Sequence, residues 1–420
     1  MKKNRVLIIL AVLALAFSCN GTQERGSASD LLRTVPSDAL VVMDFERCSD
    51  ALQVMLDSTN AIHNLDLSGL EDVHCVLSYV YTGSVQPILA LDMGKAPADT
   101  TEAVSGLLRN ASGLGLQARF FADGWSEGEN AAIIITSSVA TMPAVMRHIE
   151  GYTSIFDAPG FREAAALPSS GRGTIYIRNS GFDKILPKTF LKGTLDRRRM
   201  LAFLQKSTDW TVASVVGGGS FDIETVQNDS KVHYVNVLSS LPTGESRLGD
   251  VLPADADLAL AQPVVAGFRE QYEAYQDASV KLDKYQKAVS ELKSAAGKSP
   301  LAWEKEMDIR EVALVFWNGR KVALVRSARA VDGNIRSNPY KGFPAILYGD
   351  AFSLADDFCA DVDGWRVSGS QEDVSAFLDC TERLGGDDWQ YRNCHFVVYR
   401  QNRRLCWDSK GLKYGIQITE

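Results

Sequence analysis

Val35-Pro36-Ser37-Asp38-Ala39-Leu40-Val41-Val42-Met43-Asp44 has a counterpart 217 residues later, Leu252-Pro253-Ala254-Asp255-Ala256-Asp257-Leu258-Ala259-Leu260-Ala261. In both, Pro and Asp set a turn and an apolar run follows, the pattern of a strand leaving a turn. A helical stretch comes next in each. Then Leu70 to Met93 and Ile309 to Ser327 each read as a hairpin, turning at Tyr81-Thr82-Gly83-Ser84 and at Trp317-Asn318-Gly319-Arg320. Asn-Gly is a strong hairpin signal because both residues accept positive φ. The run Ala131 to Ser138 with a helix at 139–150 parallels Trp365 to Ser370 with a helix at 371–380. Asp209-Trp210 and Asp388-Trp389 then open what reads as three strands each, at 210–238 and 391–419. Gly217-Gly218-Gly219-Ser220 and Asn228-Asp229 supply the turns in the first half; Gln401-Asn402 and Ser409-Lys410-Gly411 supply them in the second.

Four matches in the same order imply a duplicated plan. The reading is α+β: two related units, 31–245 and 246–420, each a mostly antiparallel sheet with packed helices and a C-terminal three-stranded meander. The first unit carries an extra segment, 151–208, with one strand at Gly173 to Arg178. The second instead has a longer first helix, expected over 264–296, where Phe268, Tyr275, Leu282 and Val289 recur every seven residues with Ala278, Tyr285 and Leu292 three further on. That stripe suits a helix lying lengthwise on the sheet, the reading favoured here, or a coiled-coil surface for self-association.

The whole chain of 420 residues is 45% apolar and 23% charged, which excludes whole-chain disorder, collagen and a multi-span membrane protein. A net charge of −8 gives no general attraction for nucleic acid, and none is expected as a partner.

The first 19 residues, MKKNRVLIILAVLALAFSC, hold a positive start (Lys2, Lys3, Arg5) and an apolar run from Val6 to Phe17. Twelve residues of helix reach roughly 18 Å, short of the ~30 Å hydrocarbon core but suited to a secretory leader. Ala16-Phe17-Ser18-Cys19 resembles the lipobox of bacterial lipoproteins. That resemblance implies cleavage of residues 1–18 and acylation of Cys19, two or three chains at ~0.8 kcal/mol per buried methylene giving firm membrane anchoring. The polar stretch over 19–30 reads as a flexible tether. Asn20, in place of the Asp that retains many lipoproteins at the inner membrane, favours the outer membrane.

Of the other six cysteines, Cys48, Cys75, Cys359, Cys380, Cys394 and Cys406, none falls in a C-x-x-C pair. Buried thiols with at most one bridge are expected, and no metal. Assembled chemistry is equally sparse. G-x-S-x-G and H-E-x-x-H are absent, and the five histidines (His63, His74, His148, His233, His395) are scattered. Ser290-Glu291-Leu292-Lys293 fits S-x-x-K only in spacing. Gly113-Leu114-Gly115 and Gly217 to Gly219 read as turns, not phosphate loops. Asp356-Asp357, Asp361-Asp363 and Asp387-Asp388 are candidate acid/base pairs for glycosidic work, read first as turn caps and solvated faces. Asp361-x-Asp363-Gly364 fits neither register of a calcium loop. Arg197-Arg198-Arg199 is a basic cluster read as a solvated face, and the tryptophans read as core.

With the lipobox, the Val-Pro-Ser-Asp-Ala and Leu-Pro-Ala-Asp-Ala openings and the doubled plan, the chain resembles an uncharacterised family of Bacteroidetes-type lipoproteins. Members share the Pro-x-Asp-Ala opening and a phrase like Ser154-Ile155-Phe156-Asp157-Ala158-Pro159-Gly160-Phe161. The second unit lacks that phrase. The resemblance brings no catalytic residue and no cofactor. The expected role is that of a non-catalytic envelope protein, held to the membrane through Cys19, that binds an envelope protein or glycan. The alternative is a periplasmic hydrolase of polysaccharide or peptidoglycan.

Overall fold

A computed structural model describes residues 29–53, 60–95, 102–121, 130–167, 172–185, 202, 205–216, 220–225, 231–330, 333–385, 389, 393–400, 403–407 and 413–418. The leader, Cys19, the tether up to residue 28, Arg197 to Arg199 and the turns at 217–219, 228–229, 401–402 and 409–411 lie outside the described residues, as does Asp387-Asp388. Among the described residues no helix is long and apolar enough to cross a membrane.

The fold is α+β and consists of two related units. The first contains β1 (Val41–Phe45), β2 (Cys75–Tyr81), β3 (Val85–Lys95), β4 (Gln117–Phe121), β5 (Asn130–Thr136), β6 (Gly173–Arg178), β7 (Trp210–Val216) and β8 (Ser220–Thr225). Across the sheet they run β4-β5-β3-β2-β1-β6-β7-β8, each pair antiparallel. The second contains β9 (Ala256–Pro263), β10 (Ile309–Trp317), β11 (Arg320–Ser327), β12 (Arg336–Ser337), β13 (Phe358–Val362), β14 (Trp365–Gly369), β15 (Phe396–Arg400), β16 (Arg403–Trp407) and β17 (Lys413–Ile418). Its order is β12-β13-β14-β11-β10-β9-β15-β16-β17, again antiparallel. With the two-residue β12 set aside, the two sheets have one topology, strand for strand.

The Pro-x-Asp-Ala phrase does the same work in both. Ala39 N–H donates to the Pro36 carbonyl at 3.1 Å, and Ala256 N–H to the Pro253 carbonyl at 3.0 Å. Each closes a turn that feeds a central strand, β1 or β9. Both alanines are fully buried, where a larger side chain would meet packed neighbours. Asn318 and Gly319 take φ of 43° and 75°, the mirror-image turn expected between β10 and β11. Asp363 and Gly364, at 51° and 78°, make the same turn between β13 and β14, so the Asp361-x-Asp363-Gly364 stretch is a hairpin tip.

Ser154 to Phe161 is a packing device. Ser154 and Asp157 form a capping box, and Ile155 N–H donates to the Val35 carbonyl at 2.8 Å, tying this phrase to the turn that opens β1. The Pro159 carbonyl accepts from Trp210 Nε1 at 2.9 Å. Phe161 packs edge-on to Trp210, their ring centres 5.0 Å apart, at the heart of the first core with Val42, Val76 and Ile134. The second core gathers Ala259, Ala313, Trp317, Trp365, Phe377 and Trp389.

Three sequence expectations are corrected. The strand at Gly173–Arg178 is no insertion: it is β6, paired to β1, and it begins the first meander β6-β7-β8. Residues 235–239 accordingly form a helix rather than a third meander strand. Asp209-Trp210 opens β7, whereas Trp389 precedes β15, so the two Asp-Trp pairs are one strand out of step. By the contacts of the described residues, 205–208 and 231–245 group with the second unit.

The single helix expected over 264–296 is two, Phe268–Ala278 and Leu282–Ala296, followed by Pro300–Met307. Lys281 N–H reaches back to the Gln276 carbonyl at 2.8 Å, and Val280 sits at φ 55°, in the left-handed position that ends a helix. In one straight helix, residues 269 and 285 would stand ~24 Å apart. Instead Arg269 Nη1 lies 3.4 Å from the Tyr285 hydroxyl, so the second helix folds back on the first. The heptad stripe is used up inside the unit, and the coiled-coil surface goes with it.

Candidate functional site: a tyrosine-walled cleft

Between β9 and β10 the second unit carries those three helices, and with Val235–Ser239 and Phe343–Tyr348 they enclose a ring cluster. Tyr272 and Tyr275 share one helix face at i, i+3 spacing, with ring centres 6.0 Å apart. Tyr234 meets them edge-on at 6.2 and 5.6 Å, and Tyr285 meets Tyr272 edge-on at 5.7 Å. Phe268 stacks on both Tyr272 and Tyr348. Offset and edge geometries of this kind add attraction beyond area burial.

Arg269 holds the cluster from below. Its guanidinium lies over the rings of Phe268 and Tyr348 at 5.6 and 5.3 Å. It donates to Glu304 Oε1 at 2.9 Å and to the Leu347 carbonyl at 2.7 Å, and the Tyr348 hydroxyl also donates to Glu304. Burial works most strongly against the charge on Arg269, but Glu304 together with Tyr348 and Tyr285 outweighs it and holds its pKa above the ordinary arginine range. The Tyr234 hydroxyl stands 2.7 Å from Gln262 Oε1 and 2.9 Å from the Tyr348 carbonyl.

Over this base opens a cleft of about 220 Å³, walled by Tyr234, Tyr272, Tyr275 and Tyr285, with Lys281, Lys284 and Asp350 among its lining. Burial pushes the phenols of all four tyrosines above their usual range. They therefore stay protonated at neutral pH; Tyr234 and Tyr272 are almost wholly buried behind the wall, and Tyr275 and Tyr285 present only an edge to the opening. Lys284 and Asp350 are exposed and bring charges of both signs to the lip. Aromatic rings, two lysines and one carboxylate are thus gathered at a single opening.

The sequence signal for this cleft was the aromatic enrichment between 268 and 285, read above as a helix stripe. Tyr234, which lines it, and Tyr348, in the base beneath, come from distant elements and carried no signal.

A second constellation lies in the first unit. His74 Nε2 stands 2.6 Å from Asp44 Oδ1, and its Nδ1 lies 3.4 Å from the Ser29 hydroxyl and 4.0 Å from Asp92 Oδ2. Asp44 is buried on β1 and Asp92 is on β3, and Asp92 N–H donates to the His74 carbonyl at 2.9 Å. Ser29 Oγ also accepts from Leu31 N–H at 3.1 Å, as the cap of the turn at Asp30–Thr34. The order of groups resembles a Ser-His-Asp relay, but Ser29 is tied as a cap and its distance to His74 is long.

The carboxylates proposed for glycosidic work have separate structural partners. Asp356 is buried and accepts from Gly342 N–H at 2.8 Å and Asn338 Nδ2 at 3.1 Å; burial pushes its pKa up to about 7. Burial also opposes charge on Asp361, but Arg366, at 2.8 Å, and Arg336 overcome it and hold the carboxyl below its usual range. Asp357 pairs with Lys341 at the surface. Ser290 and Lys293 are both exposed on their helix. Among the histidines, His148 bonds Thr153 and His395 bonds the Leu241 carbonyl, each within its own region. Among the described residues no cluster of three or more His, Cys, Asp or Glu could hold a metal ion.

Comparison of the chain with protein-family models, curated proteins and solved structures returns no match.

Proposed function

We propose that the protein is a non-catalytic binding protein of the bacterial cell envelope, lipid-anchored through Cys19, whose second unit takes one ring-bearing residue of an envelope glycan into the tyrosine-walled cleft. The observation that carries the binding role is the cleft itself: protonated phenol walls on a base locked by Arg269 and Glu304, open beside Lys284 and Asp350. At about 220 Å³ it is smaller than the roughly 300–1,000 Å³ of drug-sized ligand sites, so a single ring with its substituents is the unit that fits. Tyrosine faces suit the apolar face of a sugar, and the lip charges and hydroxyls suit its polar edge. The anchor rests on the sequence around Cys19.

Titration of the Cys19→Ala chain with soluble envelope glycan fragments, followed by tyrosine fluorescence and calorimetry, tests the cleft. Binding that falls at least tenfold in Tyr275→Ala and Tyr285→Ala supports the reading; binding equal in wild type and both variants, or none at all, removes it. The anchor is tested by mass spectrometry of the mature N-terminus and by release of Cys19→Ala from the membrane fraction.

The Ser29-His74-Asp44 alignment favours a second reading, the periplasmic hydrolase. Covalent labelling of Ser29 by a fluorophosphonate, lost in His74→Ala, would establish it and displace the first.

A further inference from the structure

Cys48 and Cys75 are brought together by elements that the glycan reading does not use. Cys75 opens β2 directly opposite Phe45 on β1. Three residues after Phe45 the chain turns into the helix Cys48–Gln53, whose first N–H donates to the Val73 carbonyl at 2.9 Å, while Ser49 N–H donates to the Glu71 carbonyl at 3.1 Å. The start of the helix is thus strapped beside the start of β2. Both thiols are free and fully buried, and each lies within electrostatic reach of the other. Cysteine is among the rarer residues, and here two free, buried ones stand at the two strapped ends of the β1-to-β2 connection.

We propose that Cys48 and Cys75 form an intramolecular disulfide that clamps the first helix to the central strands when the chain folds under oxidising conditions. The chemistry needs a disulfide donor such as oxidised glutathione. One cysteine thiolate attacks the donor to give a mixed disulfide and release one glutathione thiolate. The other cysteine then attacks the protein sulfur and releases the second, so two protein thiols are oxidised while one donor disulfide is reduced. The Cys48 thiol, and then burial, push the Cys75 thiol well above its usual range. A folded, reduced chain therefore reacts slowly, and the bridge forms while the segment is still open.

The sequence provides a direct assay. Arg47 precedes Cys48 and the next lysine or arginine is Lys95, so one tryptic peptide, 48–95, holds both cysteines and no other. The full chain carrying Cys19→Ser is refolded from denaturant in a glutathione redox buffer, alkylated without reductant and digested. The expected peptide 48–95 is two hydrogens lighter than the dithiol and takes up two alkyl groups only after reduction. The bridged chain should show an unfolding equilibrium constant smaller by roughly a hundredfold or more than the same chain in reductant. Peptide 48–95 alkylated at both positions in the unreduced sample overturns the proposal, and so does linkage of either cysteine to a peptide carrying Cys359, Cys380, Cys394 or Cys406. This measurement on purified protein is independent of export, anchoring and glycan binding, so its failure would leave those readings standing.

Discussion

Glu311 sits fully buried in the middle of a sheet, on β10, and its chemistry gives a quantitative pH prediction. It accepts from Ser246 Oγ at 2.6 Å and from Arg247 N–H at 2.8 Å, with Arg326 Nε 3.3 Å away. Ser246 in turn accepts from Trp389 Nε1 at 3.2 Å, so this one carboxyl anchors the segment before Leu248–Asp250 and a core tryptophan. Burial nevertheless dominates, and raises its pKa from 4.5 to about 7. Below pH 4.5 the carboxyl is protonated in both folded and unfolded chains, and burial carries no electrostatic penalty. Between 4.5 and 7 the unfolded chain releases the proton and the folded chain keeps it, so stability falls as pH rises. Above 7 the full penalty applies. The gap between 4.5 and about 7, at ~1.36 kcal/mol per pH unit, amounts to about 3 kcal/mol. Glu311→Gln keeps the shape and an acceptor and removes the titration. Denaturant unfolding of both proteins from pH 4 to 8 should show the variant gaining on wild type by about 3 kcal/mol across that window. Taking the difference between the two cancels the parallel contribution of Asp356, which has the same sign between 3.8 and about 7. Parallel profiles with a pH-independent gap would refute the argument that desolvation outweighs Arg326 here.

Three further outcomes follow from single positions. Val280 is 93% exposed and holds φ 55° where a helix-ending glycine belongs; Val280→Gly should raise stability by about 0.5–1 kcal/mol in thermal unfolding, and a loss would deny the strain. Gly173 pairs with Phe45 across β6 and β1, and a Cβ there would lie 2.3 Å from the Phe45 ring; Gly173→Ala should cost about 1–3 kcal/mol by chemical denaturation, whereas a neutral result would mean the ring can move. Trp210 is fully buried between Phe161 and the Arg178 guanidinium, and Trp210→Ala should cost about 3–5 kcal/mol and broaden the near-UV signal of the first core.

How far the sequence could be read depended on the range of the interactions. The Pro36 and Pro253 turns and the Asn318-Gly319 hairpin are decided within four residues, and those expectations match the structure. The hairpins β2-β3 and β10-β11, and the helices after β5 and β14, followed from alternation and composition in the same way. The meander of the first unit was misread because its first two strands are far apart in sequence: β6 ends at Arg178 and β7 begins at Trp210, whereas only two residues separate β15 from β16. The break at Val280 was invisible because valine is a poor residue for a left-handed turn; only tertiary packing of Tyr285 onto Tyr272 makes the fold-back favourable. The cleft needs rings from four separate elements, and no window of sequence contains them.

The comparison between the units also bears on where binding resides. The sheets agree strand for strand, so the duplicated part is the scaffold. The units differ in the connection between their sixth and seventh strands, long between β6 and β7 and two residues between β15 and β16, and also in the connection between their first two strands. In the first unit it runs from Phe45 to Cys75 and includes the helix Cys48–Gln53; in the second it runs from Pro263 to Ile309 and includes three helices. Tyr272, Tyr275, Tyr285, Arg269 and Glu304 all come from that longer connection. Across that longer connection β9 and β10 stay paired along their length, with one bulge next to Trp317, so a surface can be elaborated there without disturbing the core that holds it. In the first unit the same place, at the ends of β1 and β2, holds His74 on Asp44 and the buried thiols of Cys48 and Cys75, groups that fasten rather than open. If the proposed cleft is the binding site, variants in the first unit should act on binding only through stability.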